Sequence, residues 1–133
     1  RKMISRVSDS FDSQTMMQTF EAKLTSVEHG RVEITAPILV GSKQQHGFAH
    51  AALTFALGDS AAGYAALSTM APEYEVLTSE MKINLLAPGR TGPLRAVGTV
   101  EKSGKRLVIV RADIFDGNEK IAILQGTMIP VKR

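Results

Sequence analysis

"HGFAHAALTFALGDSAAGYAA", residues 46–66, is apolar on almost every side of a helical projection, yet it carries one carboxylate, Asp59, near its middle. Ala and Leu dominate the stretch, Gly58 and Gly63 sit inside it, and between Lys43 and Glu73 no other Asp, Glu, Lys or Arg occurs. An apolar surface all round predicts a helix from about His50 to Met70 that is buried on most sides, with Pro72 as its stop. A lone buried carboxylate costs several kcal/mol unless it is paired or protonated. The helix supplies no partner, so Asp59 is read as a functional group. The plainer alternatives are a carboxylate held by Ser60 or a strand hydroxyl, or one exposed where the helix emerges.

Outward from this helix the pattern becomes β. Upstream, "AKLTSVEHGRVEITAPI" places Val32, Ile34, Ala36 and Ile38 in alternation with Arg31, Glu33, Thr35 and Pro37, which predicts a hairpin about His29-Gly30. Downstream, "VLTSEMKINLLAPG" alternates Met81, Ile83 and Leu85 against Glu80, Lys82 and Asn84. Three more strands follow, broken at Ser103-Gly104 and at Asp116-Gly117-Asn118, both turn-forming runs. At the N-terminus, "SFDSQTMMQTFE" (10–21) has a capping Ser or Asp and then Phe11, Met16, Met17 and Phe20 at roughly helical spacing, predicting one short amphipathic helix. The order helix, β, β, long helix, β, β, β, β indicates an α+β domain: an antiparallel sheet curled around one buried helix. The chain divides into an N-terminal helical extension (1–20) and a core (21–131).

The bulk properties suit a single domain of 133 residues, with 44% hydrophobic and 22% charged residues. A net charge of +3, with the basic residues scattered and no interleaved aromatics, argues against a nucleic-acid groove. There is no Cys, and His29, His46 and His50 lack zinc-site spacing, so no metal is expected. The same absence of Cys fits a cytoplasmic setting, and no apolar run approaches the roughly 20 residues of a membrane span, so no membrane partner is expected.

The sequence around the helix resembles the hotdog-fold thioesterase superfamily, and within it the PaaI-type acyl-CoA thioesterases. In that family a loop of the pattern Asn, two to three residues, Gly, two residues, His-Gly-Gly leads into the helix, and an Asp or Glu follows nine residues after the His. Here Gln44 takes the Asn position, Gly47 and His50 match, Ala51-Ala52 replace Gly-Gly, and Asp59 stands nine residues after His50. The family also carries a Ser or Thr on the next strand, ten residues before a Pro, and Thr78 with Pro88 fits. The resemblance covers about residues 20–131. The long buried helix followed by an expected four-strand meander looks like the hotdog fold, and the resemblance implies hydrolysis of acyl-CoA to free acid and coenzyme A, no metal or redox cofactor, and a homodimer or dimer of dimers.

Under this reading Asp59 acts as general base or nucleophile. Nine residues at about 100° each turn the helix by about 180°, so His50 and Asp59 face opposite ways and serve one site only if a two-fold partner completes it. The first helical amides have no intrahelical acceptor and sit at the positive end of the dipole, and the Ala51 N–H is the candidate oxyanion donor. Thr78 is a candidate to orient water, Gln44 and Gly47 to shape the loop, and His50 to hold it through a backbone hydrogen bond. Phe48, Phe55, Leu53 and Tyr64 are candidates to line an acyl tunnel, with His46 bordering it. Arg90, Lys102, Lys105 and Arg106 are candidate cations for the coenzyme A phosphates. Two other readings stand beside this one: a hotdog hydroxyacyl dehydratase, and an acyl-CoA binding module without turnover.

Overall fold

The protein, described here from a computed structural model, is defined over residues 2–133. The quoted stretch forms helix α3, Ala51–Leu67. It ends three residues before the expected Met70, because the Ser68 hydroxyl donates to the Ala65 carbonyl at 2.6 Å and competes with continued helix. The same hydroxyl accepts the Gly30 N–H at 2.7 Å, which ties the helix end to the first hairpin.

That hairpin is β1 (Lys23–Glu28) and β2 (Arg31–Ala36), turning at His29-Gly30 as expected. β3 (Tyr74–Leu85), β4 (Leu94–Ser103), β5 (Val108–Asp116) and β6 (Glu119–Lys132) complete one antiparallel sheet in the order β1-β2-β4-β5-β6-β3. The expected four-strand meander is therefore a three-strand one, β4-β5-β6. Strand β3 crosses to the far side of β6 and forms an edge, while β4 pairs with β2. Alternation in a sequence shows which face of a strand is buried and leaves its neighbour unspecified.

The sheet curls around α3, the arrangement of the hotdog fold. Alternate residues of its inner face are buried, among them Val32, Ile34, Ala96, Val110, Ala112 and Leu124. They meet Leu53, Leu57, Ala61 and Ala65 of the helix, each of which is at most 1% exposed. Removing such side chains from water stabilises by about 1.5–3 kcal/mol for each large one. Gly98 of β4 permits the closest approach, since a Cβ there would lie 2.3 Å from the backbone of Ala61.

The expected N-terminal helix over 10–21 is instead two, α1 (Lys2–Asp12) and α2 (Thr15–Thr19). The break falls where the Ser13 N–H and hydroxyl both turn back onto the Asp9 carbonyl. Val7, Phe11 and Met17 anchor the pair, and the Phe11 ring stands edge-on to Tyr64 with centroids 6.2 Å apart. Among the described residues no helix is long and apolar enough to cross a membrane.

Candidate active site

The sheet leaves one stripe of α3 uncovered. Ala52, Phe55, Ala56 and Asp59 follow one another at helical spacing and are partly or fully exposed. Asp59 is partly buried, and its Oδ1 accepts a hydrogen bond of 2.8 Å from the Thr78 hydroxyl. Burial pushes the Asp59 carboxyl above the ordinary Asp range, with the Thr78 hydrogen bond pulling the other way. Among the described residues Oδ2 has no hydrogen-bond partner.

Thr78 reaches the helix because of a bulge. On β3, Thr78 pairs with Met128 and Glu80 with Thr127, which leaves Ser79 as an extra residue. Thr78 and Met81 lie three positions apart and would face opposite ways on a regular strand, yet both turn inward here. Asp59 and Thr78 line a cleft of about 190 Å³.

At the other site, His50 caps α3 with extended backbone (φ −67°, ψ 142°), and its Nδ1 accepts the Ala52 N–H at 2.9 Å. The amides of Leu53 and Thr54 both bond the His50 carbonyl. No acceptor among the described residues takes the Ala51 N–H. The preceding loop is closed by Gln44, whose Oε1 accepts the amides of His46 (2.6 Å) and Phe48 (3.2 Å). Gly47 turns this loop with φ +86°, the left-handed conformation that suits glycine.

Gln44, Phe48, His50 and Ala51 face Leu85 and Leu86 across a cleft of about 470 Å³. At its rim the Arg90 guanidinium carbon lies 5.0 Å from the centroid of the Phe48 ring. Asp116 fixes the Arg90 loop by accepting the amides of Arg90 (2.7 Å), Thr91 (3.1 Å) and Gly92 (2.9 Å). Burial acts to raise the Asp116 carboxyl, but these three amides and the Arg90 charge outweigh it and hold the carboxyl below its ordinary range.

The two clefts share no residue. Eight residues of helix, a rise of about 12 Å, separate Ala51 from Asp59. One chain therefore does not bring the Ala51 N–H and the Asp59 carboxylate to a single carbonyl, and His50 does not converge with Asp59 either.

The remaining candidates are dispersed. Phe55 lies on the uncovered stripe of α3 and lines neither cleft, and the His46 side chain is exposed. Leu53 belongs to the core. Lys102 is the second-last residue of strand β4, while Lys105 and Arg106 occupy the β4–β5 turn, where Lys105 shares a hollow with Thr69 and Met70 beyond the C-terminal end of α3. Within the chain they stand at the end of the helix opposite Arg90. Among the described residues no three His, Asp or Glu side chains gather to hold a metal ion. Sequence reasoning missed Asp116, whose only signal was its place in a turn-forming run. It also missed Ser10 and Gln14, which line the Asp59 cleft, because the residues they meet are some fifty positions away.

Comparison with known proteins agrees with the fold. The thioesterase superfamily profile matches residues 46–123, which hold the loop, α3 and most of the strands that follow. The crystal structure of a thioesterase family protein from Silicibacter pomeroyi is 36% identical, covers 98% of this chain and 99% of that one, and superposes with a TM-score of 0.94. The chain belongs to the thioesterase superfamily, a family of thioester hydrolases, and has its hotdog fold. The E. coli PaaI protein from the phenylacetic acid degradation operon shares the fold at a TM-score of 0.90 with 20% identity, over 98% of this chain and 94% of that one. A 1,4-dihydroxy-2-naphthoyl-CoA hydrolase of Listeria monocytogenes is 25% identical over 118 residues, 89% of this chain and 96% of that protein. A proposed esterase of Saccharolobus solfataricus is 36% identical over 75 residues, and this match spans 56% of the chain but only about half (49%) of that relative.

Proposed function

We propose that the protein hydrolyses acyl-CoA thioesters in two identical sites at the interface of a homodimer, which can associate further into a dimer of dimers. The observation that carries this reading is the pairing of a partly buried carboxylate of raised proton affinity with a helix start whose first amide has no acceptor among the described residues, in two separate clefts along one helix. The family and the naphthoyl-CoA hydrolase relative support a CoA thioester as substrate.

A two-fold partner fits the surfaces that the chain leaves open. Edge strand β3 carries exposed Leu77 and Leu85, and the uncovered stripe of α3 presents Phe55 beside Asp59. Covering both with a second copy removes an unpaired strand edge from water. It also lets Asp59 of one protomer approach Ala51 of its partner.

In that site the thioester carbonyl oxygen accepts the Ala51 N–H, and the helix dipole favours the charge it gains during attack. Asp59 takes a proton from water, the water oxygen adds to the carbonyl carbon, and the tetrahedral intermediate expels the coenzyme A sulfur, which recovers the proton from Asp59. In the covalent version the Asp59 carboxylate adds to the carbonyl carbon and expels the coenzyme A thiolate; water then opens the resulting anhydride to the free acid, and the proton released passes to the thiolate, leaving Asp59 ionised. Thr78 orients the carboxylate in both versions. Gln44, Gly47 and His50 hold the loop that aims the Ala51 amide, Phe48 borders the thioester, and Arg90 meets a phosphate of coenzyme A.

The test is thiol release from aromatic and aliphatic acyl-CoAs by the protein and its Asp59→Asn variant. The expected result is turnover lost by orders of magnitude in the variant, with the oligomeric state unchanged in light scattering. Undiminished turnover in the variant would remove Asp59 from the chemistry. Binding of acyl-CoA without thiol release from the wild type would make the chain a binding module.

A further inference from the structure

The segment that leads into α3 is held from both sides. On one side the His50 N–H donates to the Ser42 carbonyl (2.9 Å) and the Gln44 N–H to the Phe48 carbonyl (2.8 Å). On the other side the Ala49 N–H donates to the Gly89 carbonyl at 2.9 Å. His50 is extended (ψ 142°), so the Ala51 N–H leaves the chain on the side opposite the His50 N–H. Ala49 and Ala51 therefore aim their amides the same way, the first at Gly89 and the second into the cleft that Gly89 also lines.

Gly89 sits on a fixed support. The Leu86 and Ala87 amides both donate to the Ile121 carbonyl of β6 (2.7 and 3.2 Å), and Gly89 itself is buried. Its φ lies outside the left-handed region, so conformation does not call for glycine here. Space does: a Cβ would lie 3.0 Å from the Ala49 Cβ and 3.4 Å from Ile121 Cδ1 and Leu94 Cδ2. Carbon atoms rest at about 3.5–4.0 Å, so a methyl group at this position displaces the Ala49 segment by roughly half an ångström or more.

We infer that Gly89 is a positioning residue for the oxyanion amide: its carbonyl holds, and its missing side chain admits, the segment that aims the Ala51 N–H. The inference rests on the proposed role of that amide in hydrolysis. It gives one loop two tasks. Asp116 clamps Arg90, Thr91 and Gly92 at the end proposed to meet a phosphate, while Gly89, at the end nearer β3, sets the geometry of the oxyanion donor.

The experiment measures kcat and KM for thiol release in Gly89→Ala, alone and combined with Ala49→Gly or with Ala51→Pro, with circular dichroism melts to confirm folding. A displacement of this size should lower kcat by about ten- to a hundredfold and leave KM within about threefold of wild type. Ala49→Gly removes the methyl group that the new one strikes, so most of the lost kcat should return. In the Ala51→Pro background, where the amide is already gone, Gly89→Ala should cost little more. Ala49→Val crowds the same contact from the other side and should act like Gly89→Ala. Wild-type kcat in both folded crowding variants, no recovery on adding Ala49→Gly, or a full second loss in the Ala51→Pro background each overturns the inference. The Ala51 amide resonance reads the same geometry without turnover: it should shift in Gly89→Ala and return with Ala49→Gly, and an unmoved resonance overturns the inference as well. Thiol release that is absent in the wild type, or undiminished in Asp59→Asn, counts against the hydrolysis reading, and the Ala51 resonance then decides the positioning alone.

Discussion

Replacing Ala51 by Pro deletes the amide proposed to hold the oxyanion and disturbs little else in the fold. Ala51 is the first residue of α3, where the fixed φ of proline suits the helix and where its missing N–H costs no helical hydrogen bond. His50, with ψ 142°, already has the extended conformation that proline imposes on its predecessor. The bonds of the Ala52, Leu53 and Thr54 amides to His50 all remain. Stability should therefore change by no more than about 0.5 kcal/mol, the usual range for exposed substitutions. Loss of one oxyanion donor should lower kcat by about 10²–10³-fold, or about 2.7–4 kcal/mol in the barrier. Ala51→Val controls for bulk, since it adds carbon at the same place and keeps the N–H. The assay is thiol release at saturating acyl-CoA, with thermal melts by circular dichroism. Wild-type kcat in a folded Ala51→Pro protein would refute the assignment, as would an equal loss of kcat in Ala51→Val.

Four further outcomes follow from the structure. Asp59 must be ionised to act, and burial raises its pKa, so kcat/KM should fall on acidification at a pH above the ordinary Asp range; Thr78→Val removes the hydrogen bond that opposes the shift and should move this acid limb to higher pH. The same raised pKa means that ionised Asp59 costs native stability, so Asp59→Asn should raise Tm near neutral pH, an advantage that fades as the pH falls through the folded-state pKa. Gly98→Ala drives a Cβ into the Ala61 backbone and should lower stability in chemical denaturation by at least the roughly 1–3 kcal/mol typical of overpacking. Asp116→Asn frees the Arg90 loop, so KM for acyl-CoA should rise several-fold with kcat nearly kept; because the Asp116 pKa is lowered, its contribution is present above the ordinary Asp range and lost as the pH falls through the folded value.

The sequence made local features legible and left long-range ones hidden. The buried helix, its lone carboxylate and the three hairpin turns, with the β4-β5-β6 meander they produce, all rest on patterns within a few residues. The position of β3 beside β6 does not, because it pairs residues such as Thr78 and Met128 that lie 50 apart, and alternation carries no information about partners. For the site, Asp59 stood out by its isolation, and the half-turn between His50 and Asp59 anticipated that one chain would place the two in separate clefts. The Ser79 bulge was invisible because it depends on the register with β6, although it is what brings Thr78 to Asp59. Tyr64, a candidate to line an acyl tunnel, is almost buried, and it lines the cleft that holds Asp59 with its hydroxyl turned toward Gln14 and Ser10. Phe55 was expected beside it and faces the uncovered side of α3, because 100° per residue separates the two by a face that composition alone does not mark.

The central claim is that each site joins Asp59 of one protomer to the Ala51 amide of its partner. Its most direct test is to unfold and refold Ala51→Pro and Asp59→Asn chains together in equal amounts and measure thiol release. Half of the dimers formed at random are mixed, and each mixed dimer has one intact site of two, so activity should recover to about a quarter of the wild-type value, although each variant alone is nearly inactive. Activity no greater than the mean of the two variants refolded separately, with mixed dimers shown to be present, would contradict a site shared between protomers.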